Sequence, residues 1–195
     1  MTTFQTIGIL TKPSAPNMRH RVEQVQDWLQ VHQKAILLDS TDMPPKPSCP
    51  ERQRIAKEAD LLIVLGGDGT MLSGARLVEQ RGIPILGVNM GGLGFLTEIN
   101  FDDVPKALEK IFAGEFQLDA RLMLSVQIRR DKQIIGTYSA LNDVVVSKGH
   151  LVRMISTTIS FDSRWMGTAR ERQKSRSTWG DSIRIIRKAA ASNST

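Results

Sequence analysis

The sequence predicts an α/β fold: an N-terminal α/β domain with a parallel sheet, a β-rich second domain, and a disordered basic tail. Three observations predict it. Up to about residue 117, short apolar runs alternate with helical patterns, as in a parallel sheet with helices on its faces. From 118 to 163 the apolar residues alternate with a period of two and no helix intervenes, the pattern of a β-rich domain. From 164 to 195 neither pattern continues. The expected segments are therefore an α/β domain at 1–117, a partial β-rich domain at 118–163 and a basic tail at 164–195.

Ile7-Gly8-Ile9-Leu10, ended by Pro13, reads as a first buried strand. Met18, Val22, Val25 and Leu29 recur at helical spacing with polar residues between them, which predicts an amphipathic helix. Ala35 to Leu38 is a second strand. Residues 40–50 carry Pro44, Pro45, Pro47 and Pro50 and form a loop, and Glu51 to Ala59 is a short helix. Leu61-Leu62-Ile63-Val64-Leu65 is continuously apolar, as a strand covered on both faces must be. Gly66-Gly67-Asp68-Gly69-Thr70 follows, then a helix through Met71, Leu72, Ala75 and Val78, closed by Gly82. Pro84 to Val88 is the next strand and Gly91-Gly92-Leu93-Gly94-Phe95 a second glycine loop. Asp102 or Asp103 caps a helix carrying Val104, Leu108, Ile111 and Phe112, with Gly114 as its stop.

Beyond residue 118, Leu122, Leu124, Val126 and Ile128 mark a strand, Arg130-Asp131-Lys132 a turn, and Ile134 to Ala140, Leu141 to Ser147 and Arg153 to Phe161 further strands. In 164–195 only Ile183 to Ala191 has the composition of a short basic helix.

Charge sharpens the division. The net charge is +6, yet residues 1–163 hold 18 basic and 18 acidic side chains. The whole excess lies in the last 32 residues. A nucleic-acid-binding domain needs its charge on a folded face, so nucleic acid is not expected as a partner. Aromatic residues make up 5% of the chain, too few for a base-stacking platform. One cysteine, Cys49, permits no internal disulfide and fits a reducing compartment. Three dispersed histidines and that cysteine give no metal-ligand spacing. The N-terminus lacks a basic region and a long apolar core, so no signal peptide is expected. No membrane span is expected either, and a cytoplasmic location follows.

The chemistry lies in the glycine loops. A buried strand, a glycine turn and a helix N-terminus present backbone N–H groups at the carboxyl edge of a sheet, which suits phosphate. The loop is neither G-x-x-x-x-G-K-[ST] nor G-x-G-x-x-G. Asp68 is out of place in a phosphate cradle unless it accepts a proton from an attacking hydroxyl or helps to hold Mg²⁺; the alternative is a helix cap. Phe95 is either a surface for a flat base or ribose, or core packing beside Leu96. Asn142 and Asp143, at the start of an apolar strand, either read sugar hydroxyls or a base edge or form a turn.

Gly66-Gly67-Asp68-Gly69-Thr70, the stretch Gly87-Val88-Asn89-Met90-Gly91-Gly92-Leu93-Gly94-Phe95-Leu96-Thr97 and Leu141-Asn142-Asp143-Val144-Val145-Val146 together resemble the bacterial ATP-NAD kinase family. The resemblance runs from residue 1 to about 163 and implies a Rossmann-like N-terminal domain followed by an all-β, sandwich-like C-terminal domain that is incomplete here. It implies phosphorylation of the adenosine 2′-hydroxyl of NAD to NADP, with ATP as donor, a divalent metal, expected to be Mg²⁺, and a homo-oligomer. It implies that Asp68 accepts the proton of the 2′-hydroxyl, that Gly69 lies beside it, and that Phe95 packs on bound NAD. Asn142 and Asp143 occupy the nucleotide-binding position. Arg153 stands where the family often has a basic residue near the ligand, or is an exposed charge at a strand start. The first loop alone is shared with lipid kinases, so a lipid or other small-hydroxyl kinase is the alternative enzyme. A non-catalytic remnant with a basic binding tail is the alternative from another class. The family's D-G-L-I segment and T-P-T-G-S-T-A-Y-like loop do not occur in this sequence, as a frameshift or fusion after about residue 163 would give. Little or no turnover and poor solubility are the expectation for the chain as given.

Overall fold

The computed structural model describes residues 4–11, 17–39, 49–91, 94–97, 99–121, 123–130, 133–141 and 183–188. Met1–Asp143 and Ser182–Thr195 group into one unit and Val144–Asp181 into another. Every described residue belongs to the first.

The sheet follows from the apolar runs. Strands β1 (Thr6–Thr11), β2 (Ala35–Leu38), β3 (Leu61–Gly66) and β4 (Ile85–Asn89) lie parallel in the order β2-β1-β3-β4. All six residues of β3 are buried, as its unbroken apolar run predicts. Alternate side chains feed two cores. On one face Ile7, Ile9, Ile63, Leu65 and Val88 meet helix α1 (Met18–Val31) and helix α4 (Val104–Ala113). On the other, Leu10, Leu62, Val64 and Ile85 meet helix α2 (Pro50–Glu58) and helix α3 (Asp68–Val78).

Helix α1 buries Met18, Val22, Val25 and Leu29, the four residues whose spacing predicts it. Helix α4 ends at Gly114, whose left-handed conformation lets its N–H reach the Ile111 carbonyl. Asp103 is the residue that precedes α4, but its side chain makes no capping bond. Cys49 precedes α2 and donates its thiol to Glu51 Oε2 at 2.7 Å, which holds that carboxyl below its ordinary range. The Asp60 carboxylate accepts the amides of Gln5 and Thr6 and so ties the starts of β1 and β3 together.

Strand β5 (Ile99–Asn100) pairs with β4, and a 3₁₀ turn (Phe101–Asp103) leads into α4. Strand β6 (Phe116–Arg121) follows. Strands β7 (Met123–Arg130) and β8 (Gln133–Leu141) form an antiparallel pair with an irregularity between Ile128 and Arg129. The period-two reading finds the pair, although Leu124, Ile128 and Tyr138 on its apolar face are exposed among the described residues.

The tail corrects one expectation. Ile183–Lys188 is a strand, β9, not a short basic helix. It runs parallel to β6 along six residue pairs and meets β4 antiparallel at Ile85 and Ile186. Its three isoleucines favour extended backbone, and β6 offers a ladder that the tail's own sequence does not announce. The rest of 164–195 lies outside the described residues, as do the expected strands at 142–147 and 153–161. Among the described residues no helix is long and apolar enough to cross a membrane.

Candidate functional site

In the order β2-β1-β3-β4 the chain leaves β1 for β2 on one side and β3 for β4 on the other, so the strand order switches between β1 and β3. Ligands of open α/β sheets bind beyond the carboxyl ends of the strands at such a point. The first glycine loop lies there, at the end of β3. Gly67 precedes α3, and its carbonyl accepts the amides of Thr70 and Met71 at 3.0 and 3.1 Å. The amides of Asp68 and Gly69, in the first turn, have no intrahelical acceptor, and the helix end adds positive potential for an anion.

Asp68 is the first residue of α3 and is partly buried. The N-cap position belongs to Gly67, which carries no side chain, and Asp68 stands one residue inside the helix as its first-turn acid. Instead Oδ2 accepts the Phe95 amide and Oδ1 the Leu96 amide, both at 3.0 Å. A carboxylate can accept more bonds than these two, so Asp68 keeps acceptor capacity for a ligand. The two loops, 27 residues apart in sequence, are thereby joined into one site.

Glycine makes that approach possible. A Cβ on Gly94 would lie 2.9 Å from Asp68 Oδ1 and would collide with Thr97 Oγ1. Around Gly69, by contrast, an added Cβ would meet nothing within 4 Å. The chain's own packing therefore does not require glycine at 69.

Phe95 is 92% exposed. The core-packing reading belongs to its neighbour Leu96, which is buried. Since Phe95 touches so little, Phe95→Ala is expected to leave thermal stability within about 0.5 kcal/mol of wild type. A melt lowered by several degrees would return Phe95 to the core.

The structure thus brings together Asp68, Gly69 and Phe95. Asn142, Asp143 and Arg153 lie outside the described residues. Two features of this place escape the sequence reading. One is the pair of amides at 95 and 96, which no side-chain pattern reveals. The other is Thr97, which is 5% exposed and whose Oγ1 has no hydrogen-bond partner among the described residues. It stands inside the second glycine motif, where its hydroxyl is the signal that could have singled it out. Among the described residues no group of three or more His, Cys, Asp or Glu could hold a metal.

A family model described as the ATP-NAD kinase N-terminal domain matches residues 7–116, more than half of the chain. The chain is 40% identical to an NAD kinase of Koribacter versatilis over 166 residues, which are 84% of this chain and 58% of that protein. It is 37% identical to an NAD kinase of Syntrophobacter fumaroxidans over 161 residues, 82% of this chain and 57% of that one. It therefore spans a little under three-fifths of the length of these curated relatives. Among solved structures, yeast NADH kinase complexed with NADH superimposes with a TM-score of 0.56 at 22% identity, over 71% of this chain and 46% of that one. That likeness is one of fold.

Proposed function

The chain belongs to the ATP-NAD kinase family, and from that premise we propose that its two glycine loops serve phosphoryl transfer from ATP to the adenosine 2′-hydroxyl of NAD, giving NADP. The observation that carries the reading is the Asp68 carboxylate held between the helix N-terminus and the amides of the Phe95 loop. It is a proton acceptor fixed beside a phosphate-binding edge.

In this reading the 2′-oxygen attacks the γ-phosphorus of ATP, and the bond from that phosphorus to the ADP oxygen breaks. ADP departs with the electron pair, and the hydroxyl proton passes to Asp68. Because such transition states are loose, Asp68 chiefly orients the hydroxyl, and its removal costs about 10²–10⁴ in rate. The first-turn amides of α3 neutralise phosphate charge, and Phe95 lays its exposed ring on the bound nucleotide. Asn142 and Asp143 would hold nucleotide hydroxyls, and Arg153 would stand near the ligand. The described side chains supply no protein cage for a divalent metal. Mg²⁺ suits this role because it keeps few protein ligands and travels on phosphates; Asp68 is a carboxylate candidate for it, and no step above runs through it. The same reading carries a homo-oligomer, a cytoplasmic location, and division at about 117 and 163.

The test is thermal stabilisation of the full chain by NAD. A ligand at a hundredfold excess over its Kd adds about 2.7 kcal/mol, and each kcal/mol moves Tm by roughly 2–4 °C at this size. Asp68→Ala is expected to remove most of that shift. Equal shifts in both proteins, or stabilisation by diacylglycerol but not by NAD, would overturn the reading.

A further inference from the structure

Thr97 is a costly choice where it stands. Its hydroxyl is buried and unbonded among the described residues, and a buried hydroxyl without a partner forfeits the bond it had with water. Valine would fill the same space without that cost. The side chain therefore makes sense if its hydroxyl acts in the site beside it.

Gly94 shows what that site is. The place a Cβ would occupy there is flanked by Thr97 Oγ1 and by Asp68 Oδ1, the latter at 2.9 Å. The hydroxyl and the carboxylate thus share one side of a residue that contributes only hydrogen between them. Oδ1 already accepts the Leu96 amide and has a second lone pair to offer.

We propose that Thr97 is a positioning residue for Asp68. When Oδ2 leaves the Phe95 amide to accept the substrate hydroxyl, the Thr97 hydroxyl donates to Oδ1. Together with the Leu96 amide it then fixes one carboxylate oxygen while the other receives the proton. The proposal rests on the kinase reading of Asp68.

The experiment compares wild type, Thr97→Val and Thr97→Ser as the full chain. It measures Tm without ligand and the affinities for NAD and for its analogue lacking the adenosine 2′-hydroxyl. Wild type is expected to prefer NAD roughly tenfold, the worth of one charge-assisted hydrogen bond. Thr97→Val is expected to lose most of that preference while binding the deoxy analogue as wild type does, with a ligand-free Tm equal to or above wild type. Thr97→Ser restores the preference. A lowered ligand-free Tm in Thr97→Val would show a hydroxyl already bonded in the fold and overturn the proposal. So would an undiminished preference for the 2′-hydroxyl. If wild type itself shows no such preference, the kinase reading of Asp68 fails first and takes this role with it; if wild type shows it and Thr97→Val keeps it, the role of Thr97 alone fails.

Discussion

Gly94→Ala is expected to abolish the stabilisation by NAD while costing the fold only about 1–3 kcal/mol, the usual range for overpacking. Gly94 is not among the glycines with positive φ, so the backbone accepts alanine and the effect is steric. The added Cβ would lie 2.9 Å from Asp68 Oδ1 and would collide with Thr97 Oγ1. Thr97 is 5% exposed, and a β-branched side chain has few rotamers to retreat to. The carboxylate must therefore swing away, and it can do so only by leaving the amides of Phe95 and Leu96. That uncouples the carboxylate from the second glycine loop. Gly69→Ala is the matched control. Its Cβ meets nothing within 4 Å and alanine suits a helix better than glycine by about 1 kcal/mol, so the fold should gain slightly while the ligand loses room. Melts of both variants with and without NAD check the pair. A Gly94→Ala protein with the full NAD shift would show that the carboxylate-to-loop bonds are not part of the site.

The same contrast explains what the sequence reveals and what it hides. Period and capping are local, so α1 is legible down to its buried Met18, Val22, Val25 and Leu29, and β3 is legible because every residue of it is apolar and buried. The glycine turn at 66–69, between a buried strand and a helix N-terminus, is legible for the same reason. The partners of Asp68 are not local: they are backbone amides in another loop, donated whatever side chains stand there. Strand β9 is hidden by a similar cause. Its residues Ile183 to Lys188 read as a basic helix in isolation, and only β6, more than sixty residues earlier, supplies the ladder that makes them a strand. The exposure of Phe95 also lay beyond the sequence, since an aromatic beside Leu96 suits a core as well as a ligand face until one of the two is seen to fill it.

Arg52→Ala is expected to be the most damaging single change to stability. Arg52 is 6% exposed and Asp39, at the end of β2, is 4% exposed, with Nε donating to Oδ2 at 2.8 Å. Removing one member of a buried pair takes away a countercharge in a medium that solvates the remaining charge poorly, at about 3–5 kcal/mol. A loss of that size lowers Tm by roughly 6–20 °C in a chain of this length. The position raises the consequence further. Arg52 belongs to α2 and its Nη1 also reaches Ser73 Oγ of α3 at 3.5 Å, so the guanidinium sits between β2 and the helix that begins with Asp68. The pair need not itself favour the folded state for this to hold. Two charges withdrawn from water spend most of their attraction on desolvation, and apolar residues of similar size often do as well. Arg52→Met combined with Asp39→Leu is therefore expected to recover much of what Arg52→Ala loses. Urea melts of Arg52→Ala, Asp39→Leu and the double variant, read as a thermodynamic cycle, separate the cases. If the double variant is as unstable as the sum of the single ones, the two side chains do not act as a pair, and the link from β2 through α2 to α3 must run through other contacts.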